Sequence, residues 1–350
     1  MAQSIDVANR LQRIVDKTVD NKKIFGACFA LKKDSMVWLG AAGNLSKDQS
    51  YFIASTTKLF TTALILHLKA QGKLNLDDKI HLYLDQSILN KLHVFKGTDY
   101  SDEISIKHLL AHTSGLPDYF QDKGSNKVSL EDEIKSGRDQ VWTLEDCIAR
   151  TKSLQPHFPP GTKGKAHYSD TNFQLLGKII ENITHKSFSK NCKEIIIEPL
   201  HLTRTYLHQD ANDTTPMSLY YKTNILRIPQ AMTSFGADGG MVSTSSDMLV
   251  FIEAFFSGKI FPKEYISKLQ EWNSIFFPLR SGIGFHLFKL PWVFNPTGAV
   301  PSYIGHSGLS GALAFYSPEE NLYVVGTVNQ VAHPDISFKI MIKLTQAIKK

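Results

Sequence analysis

The sequence predicts an α/β (α+β) fold: an antiparallel sheet built from both chain ends and flanked by helices, with an inserted, mainly helical domain. Three observations lead there. The chain opens with a helical pattern followed by a hairpin, and it closes with a hairpin followed by a helical pattern. Between them runs a long section periodic at helical spacing and cut by loops rich in Gly, Pro, Ser and Asp. The economical partition is a sheet domain of residues 1–60 and 240–350 and a helical domain of residues 61–239. The cleft between two such units is the natural place for a pocket.

Taken in order, Val7, Ala8, Leu11, Ile14 and Val15 share one face of an amphipathic helix over residues 4–19. Gly26 to Leu31 and Met36 to Leu39 read as strands around the turn Lys32-Lys33-Asp34-Ser35. From Leu59 to Leu68 apolar residues fall on nearly every side, the pattern of a helix buried all round. Loops such as Thr113-Ser-Gly-Leu-Pro-Asp118 and Phe158-Pro-Pro-Gly-Thr162 punctuate the middle section. Ala312 to Tyr316 and Leu322 to Val328 flank Ser317-Pro-Glu-Glu-Asn321 as the second hairpin, and residues 336–348 form a closing helix. Both terminal helices are expected on one face of the sheet.

Bulk properties narrow the function. With 42% hydrophobic and 21% charged residues in 350, the chain has the composition of a globular protein. A net charge of +6 comes from lysines scattered among acids, without a dense basic run, so nucleic acid is not an expected partner. Cys28, Cys147 and Cys192 lie far apart and read as buried free thiols. No run reaches the length of a membrane span, and the N-terminus lacks the features of a signal peptide. As written the chain reads as cytoplasmic, and an exported form whose leader has been removed fits the same residues.

The chemistry begins at Phe52-Ile-Ala-Ser-Thr-Thr-Lys58. Ser55 and Lys58 are three apart and share a helical face. Lys58 at the N-terminus of an apolar helix meets desolvation and the positive end of the dipole, and both favour a neutral amine that could serve as a base. Alone, the pair reads more readily as an N-capping serine and a snorkelling lysine. Two further segments decide between them: Lys165-Ala-His-Tyr-Ser-Asp-Thr-Asn172, with Tyr168 ahead of a helix, and the glycine-rich Ile304-Gly-His-Ser-Gly-Leu-Ser-Gly-Ala312.

With these residues in place the sequence resembles the serine β-lactamase-like and penicillin-binding superfamily, above all its class C β-lactamase, D-aminopeptidase and esterase branch. Ser55-Thr-Thr-Lys58 matches S-x-x-K, Tyr168-Ser-Asp170 stands where the family has Y-x-N, and His306-Ser307-Gly308 stands for K-T-G or H-x-G. Leu109 to Leu116, Phe158 to Thr162 and Gly239-Gly-Met-Val-Ser-Thr244 support the match, which spans roughly residues 5–345. The resemblance implies a serine hydrolase acting on a small ester, amide or peptide through an acyl-serine, without metal or cofactor. Ser55 would be the nucleophile, with Lys58 and Tyr168 as its base system. The backbone amides of Ser55 and Leu309 would form the oxyanion hole, and Gly308 would let the strand approach the substrate. His306, Ser307, Gly308, Leu309 and Asp170 would line the substrate site.

Two positions depart from the family pattern. His306 replaces a permanent cation that helps hold a substrate carboxylate, which shifts expectation toward esters, or toward amides and peptides without that group. Asp170 replaces asparagine and would place a negative charge near Lys58, stabilising the ammonium unless the carboxyl is protonated or turned away. The alternative function is a silent binding or scaffold protein that keeps the fold. An α/β-hydrolase is excluded because neither Gly305-His-Ser-Gly-Leu309 nor Gly308-Leu-Ser-Gly-Ala312 completes G-x-S-x-G. His112 reads as a hydrogen-bonder that fixes its loop. His67, His157 and His167 have no partner at metal-ligand spacing, so the sequence implies no metal.

Overall fold

The computed structural model describes residues 2–349. Its main feature is an eight-stranded antiparallel sheet. From one edge the strands run Asn273–Ser274, Leu279–Ser281, His286–Phe288, Tyr303–Ser307, Leu313–Ser317, Leu322–Thr327, Gly26–Lys33 and Met36–Gly43. Gly26–Lys33 pairs with Leu322–Thr327 in the register Cys28↔Thr327, so the sheet draws on both chain ends as the sequence predicts.

Gly26–Lys33 is buried on both faces, which explains its near-continuous apolar run. Ala27, Phe29 and Leu31 join Phe315 and Val324 beneath the helices Ala2–Asp16 and Asp335–Lys349, whose Leu11, Val15, Met341 and Leu344 complete that layer. On the opposite face Ala30, Ala314 and Val325 pack with the helices Lys58–Ala70, Asp170–Thr184 and Ser245–Ser257, where Phe60 stacks on Phe251 at 3.7 Å. The three cysteines are free and buried. Among the described residues no helix is long and apolar enough to cross a membrane.

Two elements differ from the sequence reading. Residues 303–307 form a strand of their own, so His306 and Ser307 lie within the sheet and not in a loop leading to it. The three strands beyond it are two or three residues long, too short to display alternation. A separate three-stranded sheet of Tyr51–Phe52, Met241–Ser243 and Tyr206–Leu207 ties the middle section to the residues on either side of it. That small sheet holds the chain leading into Ser55.

Candidate active site

Ser55 sits in a 3-10 turn, Ala54–Thr57, that feeds directly into the Lys58–Ala70 helix. Ala54 has a φ of +46°, a left-handed conformation that costs a non-glycine residue about 1 kcal/mol or more and clusters at functional sites. Its neighbours fix it there: the Ile53 amide donates to the Met241 carbonyl, and Gly308 presses from the other side. A Cβ on Gly308 would lie 2.7 Å from the Ile53 carbonyl oxygen and 3.0 Å from the Ser55 amide nitrogen. Only glycine lets the two backbones come this close.

The Ser55 hydroxyl is flanked by both expected partners. Tyr168 Oη donates to Ser55 Oγ at 2.8 Å, and Lys58 Nζ donates to the same oxygen at 3.2 Å. Lys58 is fully buried and makes two more contacts, to Asp170 Oδ1 at 2.5 Å and to the Asp238 carbonyl at 2.6 Å. Three acceptors around one nitrogen match the three donors of an ammonium. Asp170, the first residue of its helix, is therefore neither turned away nor distant, and its carboxylate also gains from the positive end of the helix dipole. The Tyr168 phenol is pushed well above its usual range by burial and then by the Asp170 charge, against the lowering effect of the Ser55 hydrogen bond. Tyr168 thus rests as a proton donor.

Two further carboxyl groups crowd this corner. Asp238 accepts from Tyr119 Oη at 2.6 Å and from the Gly236 amide at 3.1 Å, and burial followed by the neighbouring Asp170 charge pushes its carboxyl up to about 6. Asp118, fully buried, is pushed well above the carboxylate range by burial and then by Asp170. Its Oδ1 accepts from the Phe120 amide, and its Oδ2 has no partner among the described residues.

His306 faces the other side of Tyr168, with ring centroids 6.4 Å apart. It is 1% exposed, its Nδ1 donates to the Ser307 carbonyl at 2.8 Å, and its ring lies 4.0 Å from that of His286. Burial, then His286 and Lys58, hold His306 well below the usual imidazole range. His286 is pushed down to about 3 by burial and Lys58. A desolvated imidazole beside a second imidazole and an ammonium favours the neutral form, so His306 does not replace the cation of the family motif. His112 stacks on Tyr168 at 4.5 Å and accepts through Nδ1 from the Ser169 amide, the loop-fixing role expected of it.

From Ser55 a pocket opens between Phe52, Phe120, Leu219, Met232, Phe235 and Leu309. Asp170 and Asp238 border it on the Lys58 side, while Lys135 at its wall is paired with Glu131 at 2.5 Å. Sequence reasoning missed Asp118, Tyr119, Asp238 and His286. Asp238 immediately precedes the Gly239-Gly240 pair singled out above, the one signal that could have drawn attention to it. His157 and His167 lie apart from Lys58 and Ser55 but next to each other, and Asp122 joins them. Asp122 lies 35 residues before His157, a separation that no local spacing pattern displays.

The family model described as Beta-lactamase matches residues 11–339. Protein flp of Staphylococcus aureus strain COL is 30% identical over 340 residues, covering 93% of this chain and 63% of that protein. The chain therefore spans less than two thirds of such relatives. Among solved structures, the D-stereospecific amidohydrolase from Streptomyces sp. matches with a TM-score of 0.77 at 25% identity, covering 95% of this chain and 97% of the other. The D-amino acid amidase from Ochrobactrum anthropi SV3, in complex with L-phenylalanine amide, shares the fold with a TM-score of 0.79 at 22% identity, covering 98% and 99%.

Proposed function

Because the chain belongs to the serine β-lactamase and penicillin-binding superfamily, we propose that it is a serine hydrolase that cleaves esters or amides bearing an apolar group, through an acyl intermediate on Ser55. The observation that carries this reading is the Ser55 hydroxyl held between Tyr168 Oη at 2.8 Å and Lys58 Nζ at 3.2 Å. In the reactive form Lys58 is the neutral amine. It takes the Ser55 proton as Oγ bonds to the substrate carbonyl carbon. The amides of Ser55 and Leu309 receive the developing oxyanion. As the bond to the leaving group breaks, Tyr168 gives that group its proton, and the proton on Lys58 replaces it. Water then repeats the sequence on the acyl-serine, returning free Ser55.

Substrate choice follows from what surrounds the serine. The pocket offers hydrocarbon and aromatic walls, and Lys135 is committed to Glu131, so an apolar acyl or side-chain group fits better than a carboxylate. Neutral His306 supports the same choice, favouring activated esters and simple amides over β-lactams. A fluorophosphonate probe tests the reading. It should label the wild-type protein in one-to-one ratio and leave Ser55→Ala unlabelled. Failure to label a folded wild-type protein would favour the silent scaffold, which the full engagement of Lys58 by Asp170 and Asp238 also allows.

A further inference from the structure

We propose that Asp122, His157 and His167 form a binding site for a divalent transition metal, zinc foremost, distinct from the acyl-transfer site and independent of its chemistry. His157 Nε2 and His167 Nε2 converge on a single oxygen, Asp122 Oδ2, at 2.8 and 3.1 Å. The three donor atoms lie within 4.8 Å of one another, and the two imidazole rings stack with centroids 3.5 Å apart and planes 26° from parallel. That same oxygen already accepts the Asp118 amide at 2.9 Å. Two imidazoles and a carboxylate thus bring three potential ligand atoms to one place.

Donors bound to tetrahedral zinc at 2.0 to 2.2 Å stand roughly 3.3 Å from one another with their rings splayed apart, so binding here opens the stack and moves the ring centroids from 3.5 Å to roughly 5 Å. Binding exchanges each Nε2–H for a lone pair, the proton moving to Nδ1. Two imidazoles and one carboxylate suit zinc, cobalt or nickel, whereas magnesium and calcium prefer oxygen ligands. The fourth position faces solvent, because His157 is exposed and the other two ligands are half-buried. Backbone hydrogen bonds preorganise the ligands: His157 N to Gly115 O, His167 N to His112 O, and Asp122 N to Asp118 O. An ion here would pin the segment carrying His167, whose next residue is Tyr168, to the loop of Asp118 and Asp122.

The full chain, stripped by chelator and dialysed, can be titrated with Co²⁺ followed by visible absorption and with Zn²⁺ followed by calorimetry. One equivalent of cobalt should give d–d bands that zinc abolishes, and zinc should raise the melting temperature. His157→Ala and His167→Ala should each lose both signals with unchanged circular dichroism, and Asp122→Asn, which keeps shape and an acceptor oxygen, should weaken binding at least tenfold. His81→Ala, elsewhere on the surface, should bind as the wild type does. Absence of cobalt bands and of zinc heat up to millimolar metal would overturn the site, as would binding that survives in the His157→Ala and His167→Ala proteins.

Discussion

On the Lys58 side of Ser55 a buried cation is met by a carboxylate and two further acceptors, whereas on the His306 side the buried imidazoles are neutral and largely unpaired. Lys58 spends its three donors on Asp170, Asp238 and Ser55, and Asp118 and Asp238 are driven toward protonation around it. Across Tyr168, both ring nitrogens of His286 and Nε2 of His112 and His306 have no hydrogen-bond partner among the described residues. The difference reflects what desolvation costs. A buried ammonium must be matched by a carboxylate, but an imidazole can shed its proton and remain. One cleft therefore holds a tightly balanced ion cluster next to a low-dielectric wall that carries no charge.

Removing the cation should break the charged side most severely. Lys58→Met leaves Asp170 buried without a partner, and we expect a loss of about 3 to 5 kcal/mol in urea denaturation with hydrolysis reduced roughly a thousandfold or more. Adding Asp170→Asn should recover much of the stability and none of the activity. If Lys58→Met alone is as stable as wild type, the cluster is not balanced by Lys58.

Asp170→Asn by itself weakens the hold on the ammonium while keeping size and an acceptor oxygen. Acylation at neutral pH should rise on the order of tenfold, equivalent to about 1.4 kcal/mol. Pre-steady-state acylation checks this, and an unchanged rate would show that Asp170 does not restrain the base.

On the neutral side, His306→Lys puts a cation where the K-T-G form of the family motif has one. The ratio of nitrophenyl-ester to chromogenic-cephalosporin hydrolysis should start high in the wild type and fall several-fold in the variant. A wild-type enzyme that turns over the cephalosporin efficiently and the ester feebly would reverse the assignment of His306.

The smallest effect concerns Asp238. Its carboxyl titrates near 6 in the fold against a usual 3.8, so between these values the folded state holds a proton that the unfolded chain releases. Stability should be full below about pH 4 and decline as pH rises through about 6. Asp238→Asn should flatten that slope in denaturation measured between pH 4 and 7.

What could be read from the residues was local pattern and motif order. Gly26 to Leu31, Leu322 to Val328 and the two terminal helices were legible because each is long enough to show its period, and they suffice to define the sheet. Ser55, Lys58 and Tyr168 were legible through spacing and resemblance. His286 was not. It meets His306 only because Tyr303–Ser307 pairs with the three-residue strand His286–Phe288 in the register His286↔Gly305, a relation no run of sequence displays. Asp118 and Asp238 were hidden for a similar reason: burial and a shared neighbour, not residue type, make a carboxyl group unusual.

The register Cys28↔Thr327 also has a consequence for biosynthesis. The Gly26–Lys33 strand must wait for a partner roughly three hundred residues further along, which places the fold among those dominated by non-local contacts. Until then the Gly26–Lys33 and Met36–Gly43 hairpin presents an apolar edge whose backbone groups are unpaired. Ser55 meets Gly308 only after the same closure. Synthesis on the ribosome thus passes through a long interval in which the emerging chain is prone to association, and chaperone binding to that hairpin would shorten its exposure.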